Sequence, residues 1–149
     1  DLAAHSAGGR RTPRTEVMFG PAGHAYLFLL YGMHWAFNIV VGHEGEPHAV
    51  LIRALEPVHG QALMARRRGL AADALPIANG PGKLCRALGL DGSLYGEDVC
   101  GDRLWLAEGG RGAVGISPRI NIDYAGEWAK KAWRFYERAN RHVSVAPRN

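Results

Sequence analysis

A chain of 149 residues, 47% hydrophobic and 21% charged with mean hydropathy −0.16, is long enough to bury one core and reads as a single soluble domain over residues 1–149. The formal net charge of +4 and isoelectric point of about 9.4 admit an anionic partner without requiring one. The two cysteines, Cys85 and Cys100, form no CxxC pattern, so neither a disulfide framework nor a zinc knuckle is indicated; they read as reduced thiols of an intracellular protein.

Residues 1–23 are punctuated by Gly8-Gly9, Pro13, Gly20-Pro21 and Gly23 too often for a helix and read as loop. Arg10, Arg11 and Arg14 cluster soon after His5. They fit either a solvated basic loop or a phosphate-contacting loop beside a site that uses His5. The first residue is Asp1 rather than Met, which reads as a fragment or a processed form, and no signal peptide is visible.

Residues 26–41 are the most apolar and aromatic run of the chain. Two β-prone pieces, 26–30 and 35–41, flank Gly32, which takes positive φ cheaply; a hairpin with Tyr31 and Met33 at its tip is expected. A membrane span is the rival reading, opposed by Gly32, His34 and Asn38 inside the run. A buried hairpin whose tyrosine covers the core is the other.

Beyond the hairpin, His43 and His48 lie in a Gly-Pro turn that offers a metal no fixed face and no third ligand. Residues 49–57 look like a buried strand carrying Arg53. A guanidinium there needs an anion: Glu56 or Glu16 in a plain salt bridge, or a catalytic acid in a site. A helix is expected from Pro57 through Arg68, stopped by Gly69, with three arginines suited to its negative end. Residues 70–78 read as a connector. Asn79-Gly80-Pro81-Gly82-Lys83 then forms a glycine loop opening a short helix, a possible phosphate seat but not a Walker loop, since Leu84 stands where Ser or Thr is needed. One strand is expected over 103–106 and an irregular one over 116–122. Residues 127–138 favour helix, although 133–136 can also extend, and Val143-Ser144-Val145 closes the ordered chain.

Five strings occur in one order: His5-Ser6-x-Gly8-Gly9-Arg10-x-Thr12-Pro13-Arg14, Tyr31-Gly32-Met33, Arg53-Ala54-Leu55-Glu56-Pro57, Gly80-Pro81-Gly82-Lys83-Leu84-Cys85 and Ala125-Gly126-Glu127-Trp128. Together they resemble the alkyladenine (3-methyladenine) DNA glycosylase family, over residues 5–145. The resemblance implies an α+β (mixed α/β) domain: a curved antiparallel sheet, flanking helices and a protruding hairpin that enters the DNA minor groove. It implies excision of alkylated or deaminated purines from double-stranded DNA by base flipping, acting as a monomer, with no metal or organic cofactor and no membrane. The expected location is the cytoplasm with bacterial nucleoid DNA, or the nucleus of a eukaryote.

By the same resemblance, Tyr31, with Met33, is the intercalating wedge. Phe28 matches a base-stacking tyrosine and departs from it by losing the hydroxyl. His5 and Ile122 line the base pocket, and Asn38 crowds the guanine 2-amino group. Arg53 helps hold the attacking water, while Arg10, Arg11 and Lys83 fit DNA-backbone contacts. Asn121 stands where the family usually has glycine. The family's general base is a glutamate in an E-x-Y stretch that would precede Asp1. Glu16 and Glu127 are the stand-ins within the chain. Without a base the chain would be a catalytically silent damaged-DNA-binding module; an RNA-binding domain like the C-terminal part of formyltransferases is a third reading.

Overall fold

In the computed structural model, which describes residues 1–71, 74, 76–110 and 112–144, the apolar run folds as a β-hairpin and not as a helix. Strand β1 (Ala25–Leu30) pairs antiparallel with β2 (His34–Val40), from Ala25 opposite Ile39 to Leu30 opposite His34. Strand β3 (Ala49–Leu51) adds to the far side of β2, giving the order β1-β2-β3. Residues directly opposite share a face, so Tyr26 and Asn38 lie on one side and Ala25, Leu27, Phe37 and Ile39 on the other.

Both faces are covered. The Ala25/Leu27/Phe37/Ile39 face packs with Ala65, Leu84, Cys85 and Ala87 of two helices. Tyr26 and Val40, on the opposite face, pack with Met18 and Phe19 from the first loop. A strand buried on two faces has no reason to alternate apolar with polar residues. Hence the continuous apolar run that resembles a membrane span by length. Among the described residues no helix is long and apolar enough to cross a membrane.

Helix α1 spans Gln61–Arg68 and α2 spans Pro81–Leu88. Helix α1 thus starts one turn later than Pro57 suggests, after Gly60 in the left-handed region (φ 75°). Helix α2 begins as expected, with Pro81 where a missing N–H is harmless, and each helix ends on a left-handed glycine, Gly69 or Gly89. The arginines tie the helix ends together: Arg67 Nη1 donates to Leu88 O (2.9 Å) and Arg86 Nε to Arg67 O (2.8 Å). Orphaned last-turn carbonyls of each helix are met by the other's guanidinium.

The C-terminal part carries a second sheet, β4 (Val114–Ser117) antiparallel to β5 (Arg134–Glu137), with a 3-10 segment over Asp123–Lys130 between them. The antiparallel strands are therefore divided between two sheets among the described residues. Three expectations are corrected here. Residues 103–106 make no strand, only an isolated bridge between Cys100 and Trp105. The irregular strand expected over 116–122 is the four-residue β4, and the backbone then turns at Asn121 (φ 59°). Residues 127–138 form no α-helix: Gly126 (φ 57°) breaks the first segment, and pairing with β4 draws 134–137 into a strand. Tertiary pairing outweighs a helix propensity of a few tenths of a kcal/mol per residue. Within the connector over 70–78, residues 72, 73 and 75 lie outside the described residues, as does Val145.

Candidate active site

The hairpin turns through Tyr31 and Gly32, whose φ values of 52° and 70° have the sign pattern of a type I′ turn, closed by Met33 N–H donating to Leu30 O (3.0 Å). Tyr31 is 91% exposed and Met33 70%, so neither side chain serves the core. Glycine at 82 lets the first turn of α2 approach the hairpin just behind its tip: a Cβ there would stand 2.9 Å from His34 Cβ. Lys83 is exposed on that turn and donates to Asn79 Oδ1 (3.2 Å).

Three residues behind the tip, Phe28 lies on the same sheet face as Tyr26 and Asn38. The His5 ring meets Phe28 edge-on, with centroids 4.4 Å apart and planes at 85°. His5 Nδ1 is 2.8 Å from Tyr26 Oη, and Arg14 Nη2 is 3.1 Å from His5 Nε2. The Arg14 guanidinium also lies over the Phe28 ring, 4.9 Å from its centroid. Although His5 is exposed as a residue, its inner side is covered by these rings; partial burial, and then the Arg14 charge, hold its pKa below the usual histidine value. Asn38 is buried and donates from Nδ2 to Tyr26 O (3.1 Å) across the strand pair. His5, Phe28 and Asn38, named from the sequence, thus fall on one side of the hairpin. Tyr26 and Arg14 complete the arrangement. Period-two alternation from Phe28 would have pointed to Tyr26, whereas Arg14 was masked by its place in a basic loop.

The loop that carries His5 is fixed by its own bonds. Thr15 is buried, and its Oγ1 accepts from Thr12 N–H (2.9 Å). Ser6 Oγ donates to Pro47 O (3.3 Å). Arg11 pairs with Glu16 at 2.5 Å on the surface and stacks over Phe19, and Arg10 is exposed.

Arg53 differs from expectation. Strand β3 ends at Leu51, and Arg53 is an exposed residue past it rather than one sealed in a buried strand. Neither expected salt bridge forms: Glu16 is taken by Arg11, while Glu56 accepts from Asn140 Nδ2 (2.8 Å) and stands 3.9 Å from His142 Nε2. Partial covering of its stem, and then Arg134 nearby, lower the Arg53 pKa. Glu127 pairs with Lys130 (2.7 Å), so both stand-in acids are engaged elsewhere and exposed. Among the described residues no carboxylate pairs with Arg53.

Ile122 is half-buried and follows Asn121, whose positive φ is one that asparagine tolerates better than most non-glycine residues. That segment is anchored by Arg119, which binds Asp1 through two bonds (2.5 and 3.0 Å) and Trp128 O (3.1 Å). Nothing local in the sequence announces a pair 118 residues apart. A cavity of about 430 Å³ borders Phe28, Arg14, Tyr95 and Trp35 along the outer edge of β1; His5, Asn38 and Arg53 do not line it. Among the described residues no three His, Cys, Asp or Glu side chains are grouped to hold a metal ion, His43 and His48 included.

The model of the methylpurine-DNA glycosylase family matches residues 1–141. The chain belongs to the methylpurine-DNA glycosylase family. Among its relatives is a protein of Desulfitobacterium hafniense (strain Y51), provisionally named a 3-methyladenine DNA glycosylase, 50% identical over 97% of this chain and 76% of the relative. Proteins of the same provisional name from Clostridium acetobutylicum and Myxococcus xanthus are 44% and 46% identical, over 97% and 99% of this chain and 75% and 71% of their own lengths. The glycosylase is accordingly an enzyme of DNA repair, a hydrolase of N-glycosyl bonds whose substrate is DNA.

Proposed function

We propose that the glycosylase removes alkylated or deaminated purines from duplex DNA by inserting its hairpin into the minor groove, flipping the nucleotide out of the duplex and hydrolysing its N-glycosidic bond. One observation carries this reading: a 91%-exposed tyrosine sits at the end of the same hairpin that, behind its tip, carries Phe28 against His5 and Asn38 on the same sheet face. Tyr31 fills the gap in the base stack and Met33 follows it, offsetting the few kcal/mol that unstacking costs. Phe28 offers its ring to the extruded base, His5 and Ile122 wall the pocket, and Asn38 crowds a guanine 2-amino group. Arg53 helps hold the water that displaces the base. Arg10, Arg11 and Lys83 contact phosphates; the Arg11–Glu16 pair is solvent-exposed and screened, so it yields to them.

Leaving-group activation comes from the positive charge of an alkylated base, or from protonation of a neutral one. The second reading is a damaged-DNA-binding module that uses the same exposed Tyr31 and the same Phe28–His5 face without releasing the base. The deciding experiment incubates the protein with methylated and unmodified duplexes and follows both free-base release and binding. Release of methylated purine supports the enzyme. Damage-selective binding without release selects the second reading, and indifference to damage in both measurements overturns both.

A further inference from the structure

The two ring nitrogens of His5 have different neighbours, and one neighbour can only donate. We propose that Arg14 is a positioning residue that fixes His5 as the neutral tautomer with its hydrogen on Nδ1, making His5 a rigid wall and not a proton donor to the base. The consequence for catalysis rests on the function proposed above; the tautomer itself does not.

A guanidinium has five N–H donors, no acceptor, and stays protonated in proteins. With Arg14 Nη2 3.1 Å from His5 Nε2, that nitrogen must present its lone pair. A neutral imidazole carries one hydrogen, so it resides on Nδ1 and is donated to Tyr26 Oη at 2.8 Å. Adding a second proton would turn an N–H toward a cation, in keeping with the depressed pKa of the ring. The same guanidinium lies 4.9 Å over Phe28, whose centroid is 4.4 Å from that of His5. One side chain therefore holds two pocket walls at their mutual angle of 85°. Both nitrogens of His5 are occupied, one by Arg14 and one by Tyr26, so a neutral deaminated purine receives no proton from this ring.

The test uses DNA-free protein carrying 15N-labelled histidine and long-range proton–nitrogen correlation spectra above neutral pH, with His5 assigned through its loss in His5→Gln. The expected spectrum has a pyrrole-type Nδ1 and a pyridine-type Nε2, the reverse of the tautomer an unconstrained histidine favours. In Arg14→Ala the pyrrole-type signal moves wholly or partly to Nε2. A wild-type signal of pyrrole type on Nε2 overturns the proposal whether or not the variant folds, and an unchanged pattern in folded Arg14→Ala overturns the role of Arg14. Because no DNA is present, either result leaves the glycosylase reading standing, and failure of base release would leave the tautomer untouched.

Discussion

Replacing Tyr31 with asparagine should make the protein more stable and worse at holding an extruded base. Tyr31 adopts φ 52° ahead of Gly32 at φ 70°. A left-handed conformation costs a residue with a Cβ roughly 1–2 kcal/mol, and Asn-Gly is a pair that type I′ turns prefer. The ring is 91% exposed, so its removal forfeits little burial, within about 0.5 kcal/mol. Tyr31→Asn should therefore gain about 1 kcal/mol in urea unfolding, or about 2–4 °C in Tm. Loss of stacking, about 1–3 kcal/mol for one base, should weaken binding to a duplex with an extrudable lesion by roughly 5- to 150-fold. Fluorescence anisotropy at one salt concentration, with damaged and undamaged duplexes of one sequence, reads the second effect. Undamaged binding, carried by exposed cations, should change less than twofold, about 0.4 kcal/mol. An unchanged or lowered stability would refute the strain argument, and equal losses on the two duplexes would refute the wedge.

Three further perturbations test the scaffold around the site. Gly82→Ala sets a methyl 2.9 Å from His34 Cβ, an atom fixed to the backbone, so an overpacking cost of about 1–3 kcal/mol should exceed the helix-propensity gain of about 1 kcal/mol; chemical denaturation should show net loss. Burial pushes the Cys85 thiol up to about 11 while Cys100 is exposed, so a thiol reagent at neutral pH should modify Cys100 rapidly and Cys85 only on unfolding. Because the folded protein lowers the His5 pKa, the unfolded chain binds the extra proton more readily. The His5 contribution to stability is thus complete above about 6.5, the ordinary value, and is lost as pH falls from there through the lower folded value. His5→Gln should flatten that part of the stability–pH curve.

The hairpin was legible because Gly32 interrupts a β-prone run, and α2 because Gly80-Pro81 and Gly89 bracket it. Covering both faces of β1 and β2 erased the alternation that normally separates strand from span. Residues 134–137 were ambiguous for a different reason: their state is set by β4, and local propensity carries no trace of that partner. The same holds for Arg119 and Asp1, joined across almost the whole chain. Arg53 looked buried because its neighbours are apolar, yet the strand stops before it. At Tyr31 the local rule itself is broken, since a turn of this shape asks for Asn or Gly. Such a breach at an exposed tip is what a site that trades stability for a ligand would show.

Extrusion of a base by the hairpin is most directly measured with duplex DNA carrying 2-aminopurine at the target position, whose fluorescence is quenched while it stays stacked. Titrating the protein at one salt concentration should raise that fluorescence to a plateau, and Tyr31→Ala should abolish most of the rise at DNA saturation. Full binding with the signal still quenched, or an equal rise in Tyr31→Ala, would contradict the account.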